Sequence, residues 1–517
     1  MPASKSSKPS PRSKRAPTSH ALSAAAVAFG LILIATAAVY FVQANNHALF
    51  YGDAAAHLNI ARRLVDGRTL GYHQIGTVWL PLPHLLFMPF VRVDEWWRNG
   101  LAGAIPSAAA WVAACFFLFL TLRKFWSNGA ALVGLGVFAL NPNLLYLGAT
   151  PMTETIFFAS ALGMLYFSIQ AVERGSAWSA VLCGLAACAA TMTRYEGWFL
   201  LPFVLVYFLL AGGQARWALA ITFAFFAALG PLYWIAHNWI FYSDPLEFFR
   251  GPDSAKAIYQ RYLDKGMARY PGDHDWPAAI KQFAVATKAV NGWPLIAMSA
   301  LGLFPALRAK AFWPLVFLSL SPIFYVMSLH TGGTPIFIPE IYPFSHYNTR
   351  YALAALPLFA VCSAGLANAL PKAGWLLVPA AASWFFFQPV LTWRESEVNS
   401  DSRRAWTSEV AQILRRDYKT GRGILMPFGD LTAILPEAGF HIRESLHQGD
   451  LLAYERAVAR PDLFLNEEWA VVISGEPAAD GIARGIAKGM PYELIKRISL
   501  KNAPVIEVWR RKLPTRP

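Results

Sequence analysis

Asp53, Glu154, Arg194, Glu196 and Arg350 each interrupt or border a long hydrophobic run. Charge at membrane depth is costly unless it is paired or faces an aqueous cavity, so these five residues are read first as working groups. In the segment from Tyr51 to Arg63 the spacing Asp53 to His57 puts a carboxylate and an imidazole one helical turn apart. Ala54, Leu58, Ala61 and Val65 fall on another face as an apolar stripe, which predicts a helix lying on the membrane surface. Asp53 then stands just past the end of the first apolar run, where a carboxylate can take a proton from a hydroxyl arriving from water. The same position also suits an Asp that only caps its helix.

Three further motifs sit at the ends of apolar runs. Pro151, Met152, Thr153 and Glu154 bring a carboxylate to the mouth of one. Thr193, Arg194, Tyr195, Glu196, Gly197 and Trp198 break another with a turn that carries both charges. Asn348, Thr349, Arg350 and Tyr351 open a late one. A guanidinium at such a lip suits phosphate, which it grips through two parallel hydrogen bonds. The plainer reading pairs Arg194 with Glu196 or Glu154 to satisfy a turn. His330, Glu340 and His346, in the loop before Arg350, either line the same cavity or are wet loop residues, and the second reading is the simpler.

The elements that must position these groups follow from composition. Of 517 residues 56% are hydrophobic and 15% charged, and the mean hydropathy is +0.36. Too little polar surface remains for a soluble globule, so a bilayer is the solvent for most of the chain. The net charge of +14 is scattered between apolar runs rather than gathered in a patch, which points to topology signals and lipid contacts, not to nucleic acid. The four cysteines, Cys115, Cys183, Cys188 and Cys362, lie inside apolar stretches without zinc spacing.

A basic tail over residues 1–20 precedes an apolar run read as a retained signal-anchor, with small residues near 35–38 leaving cleavage open. Windows of about 20 apolar residues then predict about eleven transmembrane helices, near 21–43, 100–121, 129–149, 152–171, 177–193, 197–211, 217–240, 290–307, 311–329, 350–370 and 374–392. Alternate short loops carry Arg123 and Lys124, then Arg174, Arg216, Arg308 with Lys310, and Lys372. This bias puts the N-terminus in the cytoplasm and loops 44–99, 241–289 and 330–349 outside a prokaryotic cytoplasmic membrane. The expected architecture is a polytopic all-α membrane domain over 21–393, followed by a small extracytoplasmic α/β domain over 394–517. In the latter, strand-like runs at 423–428, 469–474 and 504–509 alternate with helical stretches such as 405–418. No Gly-rich phosphate loop is present there.

As a set, Asp53 after one span, the stretch Trp79-Leu80-Pro81, Pro151 to Glu154, Thr193 to Trp198, and Arg350-Tyr351 followed by Pro357 resemble the GT-C superfamily of membrane glycosyltransferases. The branch is that of the protein O-mannosyltransferases and lipid A aminoarabinose transferases. The resemblance implies a polyprenyl-phosphate sugar as donor and Asp53 as general base. The reading of the residues themselves adds His57, Glu154, Arg194, Glu196, Arg350 and Tyr351 as substrate-binding residues. One departure is Ala54, where the mannosyltransferases carry a second acidic residue, so the acceptor stays open between protein, lipid and glycan. Because the leaving group is already a phosphate, a base and a cation suffice, and one direct displacement inverts the anomeric centre. No cofactor or metal is expected, although Asp53, His57, Glu154 and His346 have the donor types to gather one. The competing class is a polytopic transporter or flippase, whose ionisable groups would cluster at mid-membrane with repeat symmetry, unlike these.

Overall fold

The computed structural model describes residues 24–341, 345–431 and 433–512, so the basic tail expected at 1–20 lies outside the described residues. Among these, seven helices are long and apolar enough to cross a membrane: Ala24–Ala44, Leu101–Leu122, Glu154–Arg174, Gly213–Tyr242, Phe312–His330, Thr349–Ala369 and the apolar part of Gly374–Asp417. Two bent pairs, Asn128–Ala139 with Pro142–Gly148 and Trp276–Asn291 with Trp293–Arg308, raise the number to nine if each pair is one span. Ala177–Thr191 and Glu196–Ala211 are apolar but only 15 and 16 residues long. Each of the eleven windows is mainly helical, while length and composition support seven to nine crossings.

The bends have local causes. At the 68° break Asn141 caps the second helix, accepting from the amides of Asn143 at 3.0 Å and Leu144 at 3.3 Å, and Pro142 occupies its first turn. At the 106° break Gly292 takes φ +84°, a conformation that a side chain would strain, and Pro294 starts the next helix. The helix Trp276–Asn291 lies in a segment read as part of loop 241–289. Its Ala279, Phe283, Ala286 and Val290 are buried in the membrane core, so it belongs to the bundle.

Segment 44–99 covers one end of the bundle. Its main element is the helix Gly52–Asp66, the loop helix below, followed by the short helices Leu82–Phe87 and Asp94–Asn99. Against it rests the C-terminal unit, a five-stranded sheet built from β1 (Ile424–Leu425), β2 (Ser445–Leu446), β3 (Trp469–Ile473), β4 (Tyr492–Ile498) and β5 (Ile506–Arg511) in the order β2-β1-β3-β5-β4. The first three strands are parallel and the last two antiparallel. Trp469 and Val471 face a layer with Trp406, Val410 and Leu414, whereas Ala470 and Val472 face Ala457, Ala478 and Ile482 on the other side. Period-two burial on both faces makes this an α/β sandwich. The helix Leu391–Asp417, here the junction helix, runs unbroken from the membrane bundle into that sandwich, across residue 394.

Candidate active site

Four breaks in the helical pattern deliver the site. Asp53 and His57 come from the first turns of the loop helix, and Glu154 opens the helix Glu154–Arg174. Arg194 sits in the gap between Ala177–Thr191 and Glu196–Ala211, with Glu196 at the start of the latter. Arg350 and Tyr351 lie in a 3-10 turn, Thr349–Ala355, that leads into Leu356–Ala369. Helix ends leave backbone groups unpaired and cannot bury a long apolar face, so they are where charge is tolerated at the mouth of a bundle.

All seven predicted residues line one cavity of ≈ 200 Å³, with Trp79, Thr153, Tyr325 and Thr334 also in its wall. Arg350 is 5% exposed. Its Nε donates to Glu154 Oε1 at 3.0 Å and its Nη2 to Asp53 Oδ2, while Tyr351 Oη lies 3.4 Å from Nη2. Arg194 donates from Nη1 to Thr153 Oγ1 at 3.0 Å and Glu154 Oε1 at 3.3 Å, from Nε to Glu196 Oε2 at 3.4 Å, and from Nη2 to Tyr325 Oη at 2.8 Å. The Tyr325 hydroxyl in turn donates to Glu196. Tyr351 holds the two cations apart: its ring centroid lies 5.0 Å from Arg194 Cζ and 4.9 Å from Arg350 Cζ, and Tyr325 stacks on it at 5.1 Å.

Three carboxylates thus share two guanidiniums, and every cation is engaged. Hydrogen-bonding capacity remains on the acceptor side, because Glu154 Oε2 is buried with no partner among the described residues. Asp53 is the open member, its side chain 41% exposed. His57 is no spare cation either. Burial, then the nearby charges of Arg350 and Arg194, push its pKa down to about 3, and a hydrogen bond of 2.9 Å ties its Nδ1 to His84 Nε2. It serves as a neutral wall beside Trp79, ring to ring at 4.4 Å.

The loop residues left open do not join them. His330 stacks on Trp276 at 3.9 Å, and His346 lies 3.9 Å from Glu340, all outside the cavity. Nor are Asp53, His57, Glu154 and His346 gathered as ligands: among the described residues no three His, Cys, Asp or Glu side chains converge on one point.

Two site residues escape the sequence. Tyr325 sits inside an apolar helix, where an aromatic residue reads as core. Glu395, on the junction helix and 2% exposed, accepts from the Thr349 backbone amide at 3.1 Å and from its hydroxyl, fixing the turn that presents Arg350. A buried acceptor at that point needs a donor, and Thr349 supplies two.

Comparison with known proteins adds a frame to this geometry. Residues 97–241 match the family described as dolichyl-phosphate-mannose-protein mannosyltransferase, a stretch that includes Glu154, Arg194 and Glu196. The fold is similar to ArnT from Cupriavidus metallidurans in its undecaprenyl-phosphate-bound crystal structure, with a TM-score of 0.59 at 13% identity over 93% of this chain and 98% of that one. Its apo state gives 0.58 at 13% identity over 94% and 98%. An Archaeoglobus fulgidus oligosaccharyltransferase follows with 0.49 at 12% identity over 86% and 68%. No curated protein matches by sequence. The fold is thus like that of ArnT over nearly the whole chain, and the family match lies within its helical part.

Proposed function

We propose that this protein is a glycosyltransferase that moves a sugar from a polyprenyl-phosphate donor to an acceptor hydroxyl at the outer face of the cytoplasmic membrane. The observation that carries the reading is Arg350, buried in the cavity wall and shared between Asp53 and Glu154. The ArnT structure bound to undecaprenyl phosphate supports a donor of that chemistry for a chain of this fold.

With no guanidinium spare, a donor phosphate reaches Arg350 by taking the place of Asp53. That exchange has a chemical use. Paired with Arg350, Asp53 has an oxygen occupied by the guanidinium; released by the phosphate, that oxygen is free to accept the proton of the acceptor hydroxyl. The hydroxyl oxygen then forms its bond to the anomeric carbon from the face opposite the phosphate. The carbon–oxygen bond to the phosphate breaks with its electron pair, and configuration inverts. Polyprenyl phosphate departs with one more negative charge, which Arg350 stabilises through a two-pronged contact and Arg194 at longer range. Glu154 and Glu196 fix the two guanidiniums, and Tyr351 spaces them.

The basic alternate loops support an N-terminus in the cytoplasm with Asp53 and the sheet unit outside. Reporter fusions at residues 10 and 450 are expected to report opposite sides; cytoplasmic signals from both would overturn this orientation. For the activity, a deletion strain is expected to lose one envelope sugar modification and to accumulate the matching polyprenyl-phosphate sugar, read by mass spectrometry. Unchanged glycans together with unchanged lipid-linked sugars would overturn the assignment.

A further inference from the structure

The loop helix separates two cavities. Asp53 and His57 face the first; Ala55, Leu58 and Asn59, on the opposite side of the same helix, face a second of ≈ 320 Å³. This larger space is bounded by segment 46–50, the Trp97-Arg98 pair, the junction helix and the nearest helix of the sheet unit. Arg98, Arg403 and Arg404 line it, against one carboxylate, Glu437. Arg98 donates to the Gly439 carbonyl at 2.9 Å and Arg403 to the Phe50 carbonyl. A carbonyl accepts a hydrogen bond but brings no countercharge, and neither arginine forms an ion pair among the described residues, Asp430 and Asp53 acting on Arg403 only at longer range.

Buried groups point the same way. Thr407 lines the cavity at 1% exposure, and its hydroxyl has no partner among the described residues; the Nε of Arg98 is also buried without one. Such groups are rarely left unmet in a folded protein, so a polar ligand is the natural complement. The rest of the wall is apolar, with Leu58 and Trp97 each 1% exposed. The cavity wall also includes residues close to the ends of two apolar helices long enough to span a membrane. Asn46 and Leu49 follow directly on the helix Ala24–Ala44, and Arg98 precedes Leu101–Leu122 by three residues.

We propose that this second cavity binds the phosphate headgroup of an anionic phospholipid from the surrounding bilayer. Forked guanidiniums suit the phosphate, and the Leu58 and Trp97 surface suits the glycerol and first methylenes of its chains. The bound lipid bears on the loop helix. Gly52, one residue before Asp53, lies so close to Arg403 that a Cβ there would stand 2.7 Å from Nη1. An occupied cavity therefore steadies the first turn of the loop helix from behind, and with it Asp53. The inference rests on the membrane reading of the helices and not on the chemistry assigned to the first cavity.

The test uses the full-length protein in neutral detergent with short-chain phosphatidylglycerol as probe, and the double variant Arg98→Ala/Arg403→Ala. Native mass spectrometry and titration calorimetry are expected to show at least tenfold weaker phosphatidylglycerol binding in the variant. Undecaprenyl phosphate binding should stay within twofold of wild type, and Thr407→Val should give a smaller loss. Phosphatidylcholine should bind wild type at least tenfold more weakly than phosphatidylglycerol. Equal affinity for the two lipids, or unchanged affinity in the double variant, overturns the proposal. So does competition by inorganic phosphate at the same concentration as the lipid, which would mark a free-anion site. If undecaprenyl phosphate binding falls in parallel, the arginines belong to the donor site and the proposal fails. Loss of undecaprenyl phosphate binding in Arg350→Ala alone addresses the first cavity separately.

Discussion

Arg62 and Arg350 are two buried arginines that each hold two carboxylates at the same end of the bundle, and they do different work. Arg62, 4% exposed, donates to Asp66 at 2.9 Å, Asp94 at 2.6 Å and the Val91 carbonyl at 2.5 Å, lies over the Trp97 ring at 4.7 Å, and lines neither of the two large cavities. His441 of the sheet unit joins the same cluster, 3.1 Å from Asp66. The cluster fronts neither cavity and bridges to His441, so this is a clasp between segment 44–99 and the sheet unit. Arg350 has the same burial and the same partners by type, and each cluster has one carboxylate open to solvent, yet Arg350 fronts a cavity and its partner Glu154 has a buried oxygen without a partner among the described residues. Ion pairs alone do not mark a site. Open space and unspent hydrogen-bonding capacity beside them do.

The largest expected effect that separates the two clusters is at Asp53. Asp53→Asn keeps the shape and a hydrogen bond to Arg350 but cannot take a proton, so turnover should fall by about 100-fold or more with the thermal unfolding midpoint nearly unchanged. Near wild-type turnover in the purified variant would reduce Asp53 to a helix cap. At Arg350 the charge and the fork can be told apart. Arg350→Lys should weaken undecaprenyl phosphate binding roughly tenfold, and Arg350→Ala more, because a point charge loses the paired hydrogen bonds. Unchanged affinity in both variants would shift the phosphate contact to Arg194.

On the clasp side, Arg62→Ala should cost about 2 kcal/mol of stability by taking the strongest donor from the buried Asp66, while the folded fraction turns over normally. A selective loss of turnover at unchanged stability would erase the distinction between the clusters. The smallest effect concerns pH. His57 ionises near 6.5 in an unfolded chain but is pushed down to about 3 in the folded one, first by burial and then by Arg350 and Arg194. Between those values the unfolded state binds the extra proton, so stability should decline as pH falls below 6.5. His57→Gln should flatten that part of the profile, followed as unfolding midpoint from pH 7 to 4.5; identical slopes would show that His57 is not the titrating group.

The charged members of the site were legible because they violate their surroundings. Arg194 and Glu196 break an apolar window, and Glu154 and Arg350 border others. Glu395 carries as large a share of the geometry, but it stands among Arg394 and Glu397 in a stretch that looks like an ordinary solvated face, so only the fold reveals its burial. Tyr325 is hidden for the opposite reason, an aromatic among apolar neighbours. Strands β1, β3 and β5 coincide with β-branched runs, whereas β4 carries Glu493, Lys496 and Arg497 with a bulge between Leu494 and Lys496, which blurs its alternation. The bends at Asn141-Pro142 and Gly292-Trp293-Pro294 explain why apolar windows overstate how many helices are straight spans.

The junction helix imposes a rule on chain length. At one end Thr392 and Glu395 are locked to Asn143 and Thr349, and at the other Trp406, Val410 and Leu414 are locked into the sheet unit. Between them the backbone is one uninterrupted screw. A single inserted residue there turns one end against the other by about 100° and advances it by about 1.5 Å, so either the Thr349 anchor or the sheet docking is lost. Seven inserted residues come close to restoring the phase, at the cost of lifting the sheet unit by about 10 Å away from the loop helix. Natural length variation in residues 396–405 should therefore be nearly nil.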